Sequence, residues 1–591
     1  MLLFLSADPE VHGKGSGRST SADRLVCNSS RRIPLLSPLE MIGVVAIEAE
    51  HPAVVEFFEL FKTPWEFHRP GAHYDILLCS NSPVPENDAR LLLLYGAQRQ
   101  AFEERQNINT RSAVGRDFVF FQNERLPIFG GCLLFDGTSN QVLVHGATKS
   151  AAAVSLTAGP QVVIRVGFDL FKEVRYLLTR GQPAEFASIP TLELHISFLR
   201  ELILSQGLTL VEILSAPAGH RFIVCLTHDV DHPRVRYHKC DYTMFGFLYR
   251  ALIGSVINFC RGRKSFRQIA ISWKAAFSLP LVYAGLAKDF WDQLDQYLRC
   301  EKDLTSTFFV IPTKGVTGVD PQGRRRARRA SRYGLGDIAD DLKKLRSANC
   351  EIAVHGIDAW RDTGKGRDER QRVQEVTGTA EIGVRMHWLY FDSQAAVTLE
   401  NAGFSYDATV GYNETIGYRA GTAQVFKHPD VTHLLELPLH IMDTALFYRS
   451  YMNLSDEQAH AAILQLIENA TRFGGVLTVN WHDRSLGPER LWGDPYLNLL
   501  RDLRSRTPWF ATAMQAVSWF RKRRATSFVS VAQDGGTIRV QPAINWTAAD
   551  LPPLVVRVYN NGASKQSRGH SESATFEDFT IDNSEQLLIA A

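Results

Sequence analysis

Two aspartates spaced one residue apart, Asp229 and Asp231, follow directly on the apolar run Phe222-Ile-Val-Cys-Leu226. Alternate residues of a strand share a face, so both carboxylates can reach one metal-bound water. Three further apolar runs end in the same abrupt way. Glu351-Ile-Ala-Val354 ends in His355-Gly-Ile-Asp358, Leu435-Glu-Leu-Pro-Leu439 in His440-Ile-Met-Asp443, and Gly475-Val-Leu-Thr-Val-Asn480 in Trp481-His482-Asp483. Carboxylates and imidazoles are oxygen and nitrogen ligands for zinc-like ions, and imidazole moves protons near neutral pH.

These residues need a frame that gathers strand ends. Between the apolar runs lie long helical stretches, such as Phe290–Lys302 and Gln458–Arg472. Buried strands with helical crossovers form a parallel sheet or barrel. In such folds the chemistry sits at the C-terminal ends of the strands. Residues 222–522 are therefore expected to form an α/β barrel. Ahead of it, residues 39–215 alternate short apolar runs (Ile42–Ile47, Tyr74–Leu78, Leu91–Leu94, Gln141–His145, Val162–Val166) with the helical Phe168–Leu178 and Leu192–Leu204. They read as an α/β companion domain without a chemical motif. Residues 1–38 are rich in Ser, Arg and Gly and read as a disordered lead-in. After residue 525 the strand-like Ser527–Val531, Thr537–Val540, Leu554–Tyr559 and Phe576–Ile581 imply a small β appendage.

The bulk properties agree with several domains. A chain of 591 residues with 45% hydrophobic composition exceeds one ordinary core. Its formal net charge of +2 gives no nucleic-acid footprint. The run Arg324-Arg-Arg-Ala-Arg-Arg329 is expected to be a solvated barrel loop, with an anionic glycan or lipid headgroup as its next-best contact. No two cysteines stand at C-x-x-C spacing, which excludes a zinc knuckle, and scattered single cysteines fit a reducing compartment. The apolar Met1–Leu5 is too short for a signal-peptide core. The stretch Met244–Cys260 is broken by Arg250 and reads as too short to span a bilayer. It is expected to pack on the barrel, with a peripheral membrane contact as the alternative. A cytoplasmic location follows from this reading.

At Thr227-His-Asp-Val-Asp231 the chain resembles the polysaccharide deacetylases, the NodB-homology carbohydrate esterases, and the resemblance extends over about residues 222–490. The family has a distorted (β/α) barrel and uses one divalent metal, usually zinc, to remove acetyl groups from N-acetylated sugars. The resemblance implies that Asp229 is the base and Asp231 a metal ligand. His355 matches the first histidine of the family's H-x-x-x-H pair, but Ala359 stands where the second should be. Asp358 and His387 are the two substitutes for that ligand. Arg385, in Arg385-Met-His387-Trp388, matches the arginine that orients the base, in an R-x-H form of the motif that a divergent subgroup carries. Gly403-Phe-Ser-Tyr-Asp407 and Gly417-Tyr-Arg419-Ala-Gly-Thr422 resemble segments that follow it. Arg419 is expected either to face substrate or to pair with an acid. His482 matches the general acid, with Asp483 either holding its second nitrogen or capping the next element, and Trp481 as a candidate for lining the sugar site.

The reading implied is a metal-dependent hydrolase acting on the N-acetyl group of an amino-sugar glycan or its precursor. Two others compete: a non-catalytic carbohydrate-binding protein on a degenerate barrel, motivated by the missing histidine, and an allantoinase-like hydrolase of small-molecule amides.

Overall fold

The structure, a computed structural model, describes residues 37–38, 41–113, 117–137, 140–534, 537–547, 550–560, 575–582 and 586–590. Its centre is a curled, largely parallel sheet. The strands are Ile223–Val230 (β1), Ser306–Val310 (β2), Glu351–Gly356 (β3), Val384–Met386 (β4), Tyr406–Asp407 (β5), Phe426–Lys427 (β6), Leu435–Glu436 (β7), Ile441–Met442 (β8), Val476–Asn480 (β9) and Trp509–Phe510 (β10). They run in the order β6-β7-β5-β4-β3-β2-β1-β9-β8, with β10 alongside the start of β1. Every pairing is parallel except β6 with β7. The path ends on β6 and β8, so this is an open (β/α) half-barrel.

β1, β2 and β9 are buried along their whole length, which is why they read as continuous apolar runs rather than alternating ones. Helices cover the outer face, among them Ala339–Ser347, Thr363–Thr377, Asp456–Phe473, Gly493–Arg504 and Ala513–Ala525. Two of these begin with reciprocal capping boxes, Ser455 with Gln458 and Thr512 with Gln515, which satisfy amides that the first helical turn leaves free. The register places Thr227 opposite Asn480 and His355 opposite Arg385. Polar strand ends that lie far apart in sequence thereby reach one level of the barrel.

The N-terminal region holds a mixed sheet. It is parallel from Trp65–Phe67 through Ile42–Val45, Ile76–Ser80 and Leu91–Tyr95 to Gln161–Val166, and antiparallel beyond that strand. Helices His51–Phe61, Leu170–Thr179 and Thr191–Leu204 accompany it. Leu210–Ile213, at the end of the expected companion region, pairs instead with Leu554–Asn560 near the C-terminus. Ser37–Pro38, read from sequence as the end of the lead-in, pairs with Ala532 and Gln533; residues 1–36 lie outside the described residues.

Buried Arg523 ties these parts together. Its guanidinium donates to the carbonyls of Glu59 (2.8 Å) and Leu60 (3.0 Å) at the end of helix His51–Phe61, and to Ile213 (2.7 Å) and Leu214 (2.9 Å). Burial pulls its pKa down to about 10, still charged at neutral pH. Beside it Arg524 pairs with Glu56, which also accepts from the Lys427 amide of β6 (2.8 Å).

Candidate functional site

The strand ends converge. Asp229 lies at the end of β1 and Asp231 directly follows it, and between them Val230 turns to the core. Asp231 Oδ1 lies 3.4 Å from His355 Nε2 at the end of β3 and 3.5 Å from His387 Nε2 just past β4. One ligand atom from each of these three residues lies within 4.8 Å of the others. These separations exceed good hydrogen bonds, and Asp231 Oδ1 is buried without a hydrogen-bond partner. The arrangement suits a cation between the three groups better than direct contact among them.

The histidines are prepared for that role. His355 Nδ1 lies 3.0 Å from the Arg385 carbonyl, which only accepts, so Nδ1 carries the hydrogen and Nε2 presents its lone pair to the cluster. Burial lowers the pKa of His387 to about 3, so its ring is neutral at physiological pH, as a ligand requires. Arg329 donates through two nitrogens to the His387 carbonyl (2.9 and 3.3 Å) and fixes its backbone. The next two residues, Trp388 and Leu389, have φ of +67° and +52°. Left-handed backbone at two bulky residues costs on the order of 1 kcal/mol or more each, and it bends the chain sharply behind His387.

Asp229 is held as a carboxylate. Burial opposes its ionisation, but nearby positive charge, that of the Arg385 guanidinium included, outweighs it and keeps Asp229 below the ordinary carboxylate range. Arg385 is itself fully buried and donates to Asp229 Oδ1 (3.0 Å), to Thr227 Oγ1 (2.7 Å) and to the Ala408 carbonyl (3.0 Å). Asn480, at the end of β9, donates to Asp229 Oδ2 (2.7 Å) and accepts from the Asp229 amide (3.2 Å). Asp229 Oδ2 stands 3.8 Å from His355 Nε2.

On the other side of the cluster His482 Nε2 lies 3.9 Å from Asp231 Oδ2. Its Nδ1 is 2.6 Å from Asp443 Oδ1, at the end of β8. Asp443 Oδ2 also accepts the His482 amide (2.8 Å) and the Ser485 hydroxyl. Burial alone would lower the pKa of His482, but the Asp443 carboxylate overrides it and raises the value to about 10. The ring is therefore an imidazolium with a free Nε2–H aimed at the cluster.

Several sequence expectations are placed elsewhere. Asp358 accepts the Val319 amide (3.0 Å) and pairs with Lys365 (2.8 Å), and it is absent from the ligand cluster. Trp481 is fully buried, donates to the Trp492 carbonyl (3.2 Å) and packs on Tyr496 in the core, so it lines no sugar site. Among the described residues Arg419 makes no ion pair with an acid. It donates to the Gly411 carbonyl (3.1 Å), lies over Phe391 and Tyr412, and its own carbonyl accepts the Gln182 amide (2.7 Å). Asp483 accepts the His232 amide (2.8 Å), leaving the His482 ring to Asp443. Sequence reasoning missed Asn480, Arg329 and the role of Asp443, although Asp443 carried the same strand-end signal. The arginine run is exposed, but Arg329 is buried and Arg324 and Arg326 both pair with Asp320. A cavity of about 630 Å³ opens at the opposite end of the barrel, beside His220 and Gly474, which precede β1 and β9; none of these residues lines it.

No family model matches the chain, and no curated protein does. Similar solved structures include polysaccharide deacetylases. A polysaccharide deacetylase described as putative, from Mycobacterium smegmatis, shares 18% identity over 52% of this chain and 94% of its own, with a TM-score of 0.32. The carbohydrate deacetylase Agd3 shares 9% identity over 94% of this chain and 99% of its own, with a TM-score of 0.35. A CE4-family pseudoenzyme from Bacillus anthracis shares 11% identity over 50% and 66%, with a TM-score of 0.24. Scores this low decide nothing by themselves, and the chemistry rests on the side chains.

Proposed function

We propose that this chain is a metal-dependent deacetylase that hydrolyses the N-acetyl amide of an amino-sugar glycan or glycan precursor. The observation that carries the reading is the grouping of Asp231, His355 and His387 around one point, with the charged Asp229 on one side and the imidazolium of His482 on the other.

Asp231, His355 and His387 are the residues that would hold the ion, and two nitrogens with one carboxylate suit zinc. A divalent cation supplies Lewis-acid charge and acidifies a bound water. Asp229, fixed by Arg385 and Asn480, accepts the proton as water attacks the acetamide carbon. His482 donates its Nε2 proton to the departing nitrogen, and the C–N bond breaks to give acetate and a free amine. Asp443 keeps the imidazolium charged and its ring aligned. Trp388, 37% exposed and next to His387, is the aromatic surface that would stack on a sugar ring.

Incubation with N-acetylated glycan oligomers tests this. Acetate should appear with added zinc or a similar ion, stop with chelator, and fall by roughly 10²–10⁴-fold in Asp229→Ala or His482→Ala. Release unaffected by either variant, or release only from cyclic amides, would defeat the proposal.

A further inference from the structure

The loop that follows β1 carries a helical hairpin that the chemistry leaves unexplained. Residues Tyr242–Cys260 form one 19-residue helical stretch with a π-turn at Tyr249–Gly254, and Phe266–Tyr283 returns beside it. Tyr242–Cys260 is long and apolar enough to cross a membrane by length and composition, contrary to the expectation from sequence. One face of the hairpin is packed. Met244, Phe247 and Ala251 from the first arm and Ala275, Leu279 and Val282 from the second form a single buried cluster with Val235 and Trp291 of the barrel. One face of the helix is thus committed to the protein.

The opposite face is apolar and bare. Phe266 is 76% exposed, Phe277 69% and Tyr242 62%, and Phe245, Ile253 and Leu281 are at least half exposed. Along each arm these residues recur at intervals of three, four or sums of these, so each arm presents a stripe to one side. A patch of this kind on an otherwise charged surface marks a contact.

Charge identifies the partner. From Tyr242 to Ala287 the chain has six basic residues, Arg250, Arg261, Arg263, Lys264, Arg267 and Lys274, and no Asp or Glu. The whole chain, by contrast, is nearly balanced at 65 basic and 63 acidic residues. Arg261, Arg263 and Arg267 cluster at the tip of the hairpin, all exposed. At the other end Arg328, from the exposed arginine run, lies 3.7 Å over the Tyr242 ring, which joins that basic loop to the apolar stripe. Exposed aromatics and aliphatics flanked by Lys and Arg, without acids, match the boundary of an anionic bilayer.

We infer that the hairpin is a membrane-docking element that lies in the surface of a bilayer containing anionic lipid. Its first turn is tied to the catalytic end of the barrel. Asp241 caps the helix through the Met244 amide (3.0 Å) and holds His238 (2.9 Å), which meets His232 (3.1 Å), the residue after Asp231. The hairpin is thus joined through three side chains to the strand end that carries Asp231.

Flotation of the full chain with vesicles tests the inference. Wild type should float with phosphatidylcholine vesicles containing about 30% phosphatidylglycerol, and less so as salt rises from about 0.1 M to about 0.5 M. Phe266→Ser with Phe277→Ser, and separately Arg261→Glu with Arg267→Glu, should each weaken partitioning by about tenfold or more. All four side chains are exposed, and unchanged thermal melting would confirm that the variants fold. The inference fails if wild type stays unbound, or if neither double variant changes its partitioning. It also fails if sedimentation shows a dimer that Phe266→Ser with Phe277→Ser dissociates, since the face would then be covered by a second copy.

Discussion

Replacing Asp443 with Asn removes one charge and nearly no volume, and it asks whether that charge keeps His482 an acid. The carboxylate 2.6 Å from Nδ1 is the main influence that raises His482 to about 10; without it, burial draws the ring back toward its ordinary 6.5 against the smaller pull of Asp231 and Asp229. A group whose pKa is raised is present as the acid below that pKa, so the wild-type rate should hold through pH 8 and decline only well above it. In the variant, with a pKa of about 6.5, the protonated fraction would be about three-quarters at pH 6 and about 3% at pH 8. The ratio of wild-type to variant rate should thus grow by about 25-fold between those pH values. The variant also loses an acceptor for the His482 amide, which lowers its rate at every pH; the growth of the ratio is what isolates the charge. The assay is a pH–rate profile of acetate release by the metal-loaded protein, with the His482 ring titrated in parallel by NMR. An alkaline limb at the same pH in both proteins would refute the assignment of Asp443 as the group that sustains the acid.

Other consequences follow from the same structure. Trp388→Ala should raise KM about tenfold with kcat little changed, as loss of a stacking surface would; an unchanged KM removes Trp388 from the sugar site. Gly417→Ala should destabilise the fold by on the order of 2–4 kcal/mol, because φ there is +135° and an added Cβ would overlap the Ala187 carbonyl oxygen. Denaturant unfolding that shows no loss would contradict that packing. Arg523→Ala strips the donor from four backbone carbonyls in two segments and should cost on the order of 3–5 kcal/mol, read as a lower denaturation midpoint.

Much of this site was legible because a parallel strand buried on both faces has a plain signature, an apolar run that stops at a polar residue. That signature located Asp229, Asp231, His355 and His482, and the structure brings all four to one level. It was less informative wherever a side chain acts across the sheet. His387 and Asp358 were open alternatives, since only the β3–β4 register shows that the turn after β4 reaches Asp231 while Asp358 turns to Lys365. Asp443 was visible as a strand end, but its partnership with His482 depends on the β8–β9 pairing of Met442 with Asn480. Trp481 misled because a Trp beside a catalytic-looking histidine has the same sequence whether it points to the core or to the cleft. The strands of the C-terminal appendage were readable from their apolar residues, but their partners at Leu210–Ile213 and Ser37–Pro38 are far away in sequence, and local pattern carries no trace of such pairings.

The most direct test of the account is the metal content of purified protein, by elemental mass spectrometry, for wild type beside Asp231→Ala, His355→Ala, His387→Ala and Asp358→Ala. The account predicts about one divalent ion per wild-type chain, heavy loss in the first three variants, and retention in Asp358→Ala. No ion in the wild type after reconstitution, or loss in Asp358→Ala with retention in His387→Ala, would contradict it.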